Sequence, residues 1–124
     1  MNKIYVGTSL YNGDKAKHFI SRFKDLGMAI TYDWTTHGKV ETVEELTLYG
    51  EAEFKGVADC DIFFMLTPAR AGTHVELGIA LALGKLIVIV FTEAVEMKTF
   101  YYLPNVHKFT TEEEAFNFVT ERCK

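Results

Sequence analysis

Short runs of apolar residues recur along the chain, and stretches with helical periodicity separate them. We expect β-strands at the apolar runs 3–8, 28–34, 61–68, 86–91 and 105–109. The run from Asp61 to Pro68 is apolar with little alternation, which is typical of a strand whose two faces are both covered. The sequence therefore predicts a sheet whose central strands are buried.

Hydrophobic residues in the intervening stretches recur at helical spacing, which predicts amphipathic helices. The first covers residues 13–27 and ends at Gly27, a helix stop signal. Its predicted apolar face consists of Phe19, Ile20, Phe23 and Leu26. The second lies within residues 41–60, and its candidates for the buried side are Val43, Leu46, Phe54 and Val57. Two further helices are predicted at residues 72–85 and 110–123, the last with a cap at Thr110 or Thr111.

Strand and helix alternate about five times along the chain, and this order indicates a fold class. Alternation of this kind favours a parallel sheet with right-handed crossovers and helices on both faces. We expect an α/β fold, a Rossmann/flavodoxin-like three-layer sandwich with a five-stranded, mainly parallel sheet. The length of 124 residues suits a single domain spanning residues 1–124.

Composition excludes several classes of protein. A net charge of −4 without a basic block argues against nucleic acid as a partner. The longest apolar run is too short to span a membrane, and the amino terminus has a strand pattern in place of a signal peptide. Cys60 and Cys123 are far apart and are interpreted as reduced thiols of a cytoplasmic protein. His37 and His74 lack partners at ligand spacing, so we expect no metal and no other cofactor.

Unusual polar residues follow the predicted strands. The carboxyl ends of parallel strands meet at one edge of the sheet, where ligands bind in folds of this class. We expect the following residues to lie at that edge: Asn12, Asp14, Asp33, Trp34, His37, Arg70, Thr73 and Glu76.

Glu76 is the most informative of these residues because it interrupts an apolar helix. Thr73 and Glu76 have the spacing of a capping box, in which each side chain bonds the backbone N–H of the other residue. Alternatively, Glu76 lies at the third helical position, where the helix macrodipole favours its ionised form and Gly72 allows close approach of a ligand. An ionised carboxylate in a cleft is suited to nucleophilic attack on a sugar anomeric carbon.

Several segments, in order, resemble one enzyme family. They are "KIYVGTSLYN", "YDW", "EAEFKGVADCDIFFML", "GTHVELGIALALGK" and "PNVHKF". Together they cover most of the chain. They resemble the nucleoside 2-deoxyribosyltransferase family, including its branch of 2′-deoxynucleoside 5′-monophosphate N-glycosidases.

The resemblance implies catalytic roles for three residues. Glu76 matches the glutamate that attacks C1′ of the sugar, and Tyr5 matches a tyrosine that holds that glutamate. Glu53 stands where relatives carry an aspartate that contacts or protonates the leaving base, and its side chain is longer by one methylene. Tyr5 as a core tyrosine and Glu53 as a solvated helix residue remain the alternatives.

The remaining candidates are assigned to substrate binding. The resemblance places Gly7 and the loop after it along the sugar and phosphate, and Arg70 adds a cation suited to a phosphate. The full set of substrate-binding candidates is Gly7, Ser9, Asn12, Asp33, Trp34, Asp61, Arg70, Gly72 and Thr73. Trp34 either stacks on a base or closes the edge of the core. Asp61 is more simply explained by bonds to nearby backbone amides at the start of its strand.

The sequence thus predicts an enzyme that cleaves or transfers at the N-glycosidic bond of a 2′-deoxynucleoside or its 5′-monophosphate. The alternative is a module that binds a nucleotide or nucleotide-sugar without turnover. We also expect a homo-oligomer, most simply a dimer, because the family completes its sites across an interface. Residues 97–104 add apolar and aromatic side chains in a surface connection, either as an interface or as a lid over the chain's own sheet.

Overall fold

Five parallel strands form one sheet in the computed structural model, which describes residues 1–123. The strands are β1 (Lys3–Gly7), β2 (Ala29–Ile30), β3 (Ile62–Thr67), β4 (Leu86–Phe91) and β5 (Val106–Phe109). Their order in the sheet is β2-β1-β3-β4-β5, and every neighbouring pair is parallel. The predicted α/β fold with a five-stranded parallel sheet is confirmed. The strand order changes direction between β1 and β3, and a ligand cleft is expected at that point.

Four helices cover the two faces of the sheet. They are α1 (Gly13–Asp25), α2 (Val43–Asp59), α3 (Ala71–Ala82) and α4 (Glu112–Arg122). Helices α1 and α4 share one face, where the ring centroids of Phe23 and Phe116 lie 5.4 Å apart and Lys15 pairs with Glu112 at 2.5 Å. Helices α2 and α3 pack against each other. Thr111 caps α4 by accepting a hydrogen bond from the backbone N–H of Glu114, in agreement with the predicted cap.

The core follows from the apolar runs. Every residue of β3 is buried, and so are the last five residues of β4. Phe19 and Phe23 of α1 meet Phe64 of β3 with ring centroids 4.9 Å and 5.0 Å apart, at angles typical of favourable aromatic pairs. The central strands read as continuous apolar runs because helices cover both of their faces.

The second strand is much shorter than the pattern predicts. The run 28–34 gives a strand of only two residues, and the backbone then turns into a 3-10 helix over Trp34–Thr36. Asp33 caps this turn, because its side chain accepts hydrogen bonds from the backbone N–H and the hydroxyl of Thr35. A capped turn therefore ends this edge strand early.

The predicted buried face of α2 is wrong at three of its four positions. Val57 is fully buried, but Val43, Leu46 and Phe54 are 72%, 60% and 57% exposed. The carboxyl-terminal part of α2 packs on the sheet, where a Cβ on Gly56 would lie 2.7 Å from Cβ of Tyr32. Helical periodicity identifies an apolar face, but it does not show what covers that face. In α1, the predicted core residue Leu26 is likewise 40% exposed, because it lies at the carboxyl-terminal cap.

Candidate active site

A cavity of about 840 Å³ opens at the carboxyl edge of the sheet, beside the change of strand order. The loops after β1, β2 and β3, the start of α3, and residues 46–53 of α2 enclose it. Its lining includes five of the sequence-predicted substrate-binding residues, namely Ser9, Trp34, Arg70, Gly72 and Thr73. Two predicted catalytic residues, Glu53 and Glu76, line it as well. The structure thus brings most of the predicted site together.

Glu76 lies in the second turn of α3, at the floor of the cavity. Its side chain is almost entirely buried, and the hydroxyl of Tyr5 donates a hydrogen bond of 2.5 Å to Oε2. A Cβ on Gly7 would lie 3.3 Å from Oε1 of Glu76 and 3.3 Å from the ring of Phe63. Glycine at this position therefore leaves room for the carboxylate.

The capping-box interpretation of Glu76 is wrong. Helix α3 begins at Ala71 with Arg70 as its N-cap, so Thr73 is already inside the helix. The Glu76 carboxylate contacts Tyr5 of β1 and not its own helix end. At the sixth residue of the helix, it also lies beyond the first turn, where the macrodipole acts most strongly.

Burial, and not the helix end, dominates the ionisation of Glu76. Removal from water raises the pKa of its carboxyl to about 8, and the Tyr5 hydrogen bond opposes that rise. Charge repulsion from Glu53 and a hydrogen-bonding interaction with the Glu53 carboxyl favour the protonated form further. Burial, followed by the charge of Glu76, also raises the pKa of Tyr5, which keeps the phenol protonated as a donor. The expectation that Glu76 is ionised by its helix is thus corrected.

The side chain beside Glu53 is His37, which was expected at this edge of the sheet but was given no role in the site. Nδ1 of His37 lies 3.7 Å from Oε2 of Glu53, and the His37 ring stacks on Tyr49 with centroids 3.8 Å apart. The other ring nitrogen, Nε2, contacts the hydroxyl of Tyr32. The sequence separates these residues by 4 to 21 positions without a motif, and only the packing of α2 over the preceding loop brings them together.

Trp34 closes the edge of the core, one of its two proposed roles, and stacking on a base stays a prediction. The side chain is 7% exposed, and its indole N–H donates a hydrogen bond of 2.7 Å to the carbonyl of Val6. It therefore closes the edge of the core while its ring lines the cavity. Ser9 is similarly fixed, because its hydroxyl donates to the carbonyl of Pro68 at 3.2 Å. The Ser9 bond joins the loops after β1 and β3, and the Trp34 bond joins the turn after β2 to β1.

Arg70 brings a positive charge to the cavity mouth. Its guanidinium lies 5.4 Å from the ring centroid of Tyr11, within the range of a cation–π interaction. Tyr11 itself lines the cavity and was not among the predicted site residues. Arg70 thus approaches the cavity together with the first turn of α3, which carries Gly72 and Thr73.

Three predicted substrate-binding residues have other placements. Asp61 lies at the opposite, amino edge of the sheet and accepts hydrogen bonds of 3.1 Å from the backbone N–H groups of Asn2 and Lys3. Its assignment is therefore corrected to the structural alternative. Asp33 caps the 3-10 turn, and Asn12, at the N-cap position of α1, contacts Thr8 through Nδ2 at 3.4 Å. Neither side chain is part of the cavity lining.

Within residues 1–123, no group of three or more His, Cys, Asp or Glu side chains is placed to hold a metal ion. A search of the same residues finds no helix with the length and hydropathy to cross a membrane. Both cysteines in this range are free thiols.

A buried carboxyl held by a tyrosine, next to a second carboxyl in an open cavity, is the arrangement expected of an enzyme that acts on glycosidic bonds. The sequence matches the nucleoside 2-deoxyribosyltransferase family over residues 4–119, and the chain belongs to that family. The predicted class of enzyme, acting by cleavage or transfer at an N-glycosidic bond, is confirmed by this membership. A search of curated proteins gave no match.

Solved structures share the fold. CMP N-glycosidase BcmB from Clostridium botulinum is 18% identical with a TM-score of 0.68, over 94% of this chain and 97% of that one. A 2-deoxyribosyltransferase from Bacillus psychrosaccharolyticus is 21% identical with a TM-score of 0.68, over 93% and 90%. A 2-deoxyribosyltransferase from Leishmania mexicana is 18% identical with a TM-score of 0.63, over 98% of each chain. At these identities the comparison establishes the common fold.

Proposed function

We propose that the protein cleaves the N-glycosidic bond of a 2′-deoxynucleoside or its 5′-monophosphate, with Glu76 as the nucleophile. The observation that carries this proposal is the Tyr5–Glu76–Glu53 arrangement on the cavity wall. Tyr5 donates to one carboxylate oxygen, Oε2, and thereby orients the other toward the cavity. Glu53 is the acid for the leaving base.

The chemistry proceeds in two steps. A Glu76 oxygen attacks C1′, the C1′–N bond breaks, and its electron pair leaves with the base, which takes a proton from Glu53. The product is a glycosyl ester on Glu76 and an ionised Glu53. In the second step, water or an acceptor base gives its proton to Glu53 and attacks C1′, which releases Glu76.

The elevated pKa of Glu76 fits this scheme when the two carboxyls act as a pair. In the empty cavity, burial keeps the proton on Glu76. Transfer of this proton to Glu53 produces the nucleophile and the acid together, without a proton from solvent. Tyr5 stabilises the resulting Glu76 carboxylate, because its hydrogen bond favours the ionised form.

A 5′-monophosphate is the substrate form that the cavity charge favours. Arg70 stands at the mouth beside the first turn of α3, where backbone N–H groups point outward. A phosphate there would meet a guanidinium donor and the positive end of a helix. The carboxyl groups of Glu53 on α2 and Glu76 at the cavity floor remain available to the base and the sugar.

The test is release of free base from a panel of 2′-deoxynucleosides and 2′-deoxynucleoside 5′-monophosphates, with and without an acceptor base. Glu76→Ala should reduce release by at least about 10³-fold, since a covalent nucleophile has no substitute. Glu51→Ala, an exposed position on α2, is the matched control and should retain full activity.

Intact-protein mass spectrometry provides a second, direct measurement. Rapid quenching should show the mass of wild type increased by a deoxyribosyl or deoxyribosyl-phosphate group, and Glu76→Ala should lack this species. Near wild-type turnover by Glu76→Ala would disprove the nucleophile assignment. Tight binding without base release by the wild type would instead support a non-catalytic role.

We further propose a homodimer in the cytoplasm. The free thiols suit a reducing compartment. Met97 and Phe100 are 81% and 64% exposed in the connection between β4 and β5, and such apolar groups are enriched at interfaces. The partner class is a small nucleoside or nucleotide, and we expect neither nucleic acid nor a membrane surface as a partner.

A further inference from the structure

Tyr101 is the anchor of an otherwise exposed segment. The segment 97–103 connects β4 to β5, and its side chains Met97 and Phe100 are mostly exposed. Tyr101, in contrast, is 1% exposed. Its ring lies against Phe91, with centroids 6.1 Å apart, and parallel to the ring of His74 of α3. The segment is therefore fixed to α3 through one side chain.

His74 connects this anchor to the helix end at the cavity. Its Nε2 lies 2.7 Å from the hydroxyl of Tyr101, and its Nδ1 lies 2.8 Å from the carbonyl oxygen of Arg70. A carbonyl oxygen only accepts, so Nδ1 carries the hydrogen. In the neutral ring Nε2 is then the acceptor, and Tyr101 is the donor.

Arg70 is thereby restrained at both ends. Its carbonyl oxygen accepts from the His74 imidazole and, at 3.2 Å, from the His74 backbone N–H. Its guanidinium lies over the ring of Tyr11, at 5.4 Å from the centroid. Fixing the peptide after Arg70 fixes the direction in which its side chain leaves the backbone. A preorganised arginine loses less conformational entropy when an anion binds.

We propose that the Tyr101–His74 pair is a positioning device that holds Arg70 for a substrate phosphate, so that the segment 97–103 sets the preference for 5′-monophosphates over nucleosides. This inference rests on the proposed phosphate contact of Arg70. Neither His74 nor Tyr101 lines the cavity. Its effect is on binding of the phosphate and not on the bond-breaking step.

The test is Tyr101→Phe, which removes one hydroxyl and keeps the ring packing. We expect KM for the preferred 5′-monophosphate to rise roughly 3- to 10-fold while kcat stays within about twofold, the scale of one freed arginine side chain. KM for the matching nucleoside should not change. Tyr102→Phe is the matched control, because its hydroxyl contacts only the carbonyl of Glu96 and the sulfur of Met97 in the same β4–β5 connection, and it should leave every constant unchanged.

A binding measurement separates this inference from the proposed function. Calorimetry with 2-deoxyribose 5-phosphate needs no turnover, and Tyr101→Phe should weaken this Kd by the same factor as KM. If wild type releases no base, the catalytic proposal fails while the calorimetry still decides the positioning role.

A double-mutant cycle tests the route through Arg70. In an Arg70→Ala background, Tyr101→Phe should have no further effect on the Kd for 2-deoxyribose 5-phosphate. Additive losses of affinity in the double variant would overturn the inference. So would equal losses for monophosphate and nucleoside in Tyr101→Phe, or an unchanged Kd in that variant. Arg70→Ala weakening the Kd while Tyr101→Phe does not would leave the phosphate contact standing and remove the positioning role.

Discussion

Glu76 is a residue at which function and stability oppose each other. In an unfolded chain its carboxyl titrates near the ordinary value of 4.5, whereas burial in the fold raises its pKa to about 8. Between these values the folded state retains a proton that the unfolded state has released. Stability therefore falls as pH rises through this window, because ionisation of buried Glu76 opposes folding.

Glu76→Gln should remove that pH dependence. Glutamine resembles the protonated carboxyl and still accepts a hydrogen bond from Tyr5. The unfolding temperature of this variant should therefore lack the decline that ionisation of Glu76 causes between about pH 4.5 and pH 8. We expect Glu76→Gln to unfold at a higher temperature than wild type at pH 8 and at a similar temperature near pH 5. The measurement is thermal unfolding over this range, with Glu51→Gln as the exposed control. If the unfolding temperatures of wild type and Glu76→Gln changed in parallel with pH, Glu76 would not be the titrating group.

Arg70 offers a second prediction at this scale, concerning selectivity. Arg70→Ala should raise KM for 5′-monophosphates about 10- to 100-fold, the scale of a hydrogen bond to a charged group, and change KM for nucleosides little. Lys39→Ala removes a different cation from the cavity lining and controls for general loss of charge. The measurement is steady-state kinetics on each 5′-monophosphate and its matching nucleoside. An equal rise in KM for both would contradict the prediction.

Some residues of this site could be predicted from the sequence and others could not, for physical reasons. Tyr5 and Glu76 lie 71 positions apart, and only the resemblance linked them before the fold did. Glu53 was assigned on the same basis. His37 was expected at this edge without a role, and Tyr11 was covered only as part of the loop after Gly7, because tertiary packing sets the paths of both loops. Asp61 stayed among the substrate-binding candidates although backbone bonds were its simpler explanation, because a strand-starting acid has no motif that separates the two roles.

At the scale of elements, the prediction succeeded where burial is complete. Strands β3 and β4 were placed within a residue or two, because helices on both faces leave a continuous apolar run. The edge strand β2 was predicted too long because a capped turn ends it early. The exposed half of α2 was misjudged because its apolar residues do not face a covering layer. An apolar pattern identifies a face that could be buried, and tertiary packing decides whether another layer covers it.

Two glycines of α2 allow a matched test of that packing. Replacing a helical glycine by alanine ordinarily stabilises a protein by about 1 kcal/mol. At Gly50, where the added Cβ would meet no described residue beyond its chain neighbours and its own helix backbone, we expect this gain in the free energy of unfolding. At Gly56 the added Cβ would lie 2.7 Å from Cβ of Tyr32 and 3.1 Å from the ring of Tyr5, so we expect a loss of about 1–3 kcal/mol.

Urea unfolding of the two variants gives the comparison directly. Gly56→Ala should also reduce turnover, because α2 would move away from Tyr5 and carry Glu53 with it. A stabilised Gly56→Ala would mean that α2 does not pack closely on β1 in solution.

For the whole molecule, the central prediction is the dimer. Phe100→Ser should weaken association, since it removes a 64% exposed aromatic ring from the segment proposed as the interface. Light scattering at micromolar concentration is the measurement, with Leu48→Ser, an exposed position on α2, as the control. A 14.1 kDa monomer of the wild-type chain would contradict the dimer and favour the alternative of a lid over the chain's own sheet.

The exposed half of α2 and the loop that precedes it have a consequence for divergence among related enzymes. Leu46 and Val40 form part of the cavity wall but are 60% and 37% exposed, so they contribute little to the core. Substitutions at such positions usually change stability by less than about 0.5 kcal/mol. Mutations there can therefore alter which base is accepted without loss of the fold, while Tyr5, Gly7 and Glu76 stay in place. Evolution and directed evolution alike can explore new substrates at these positions at low risk of unfolding.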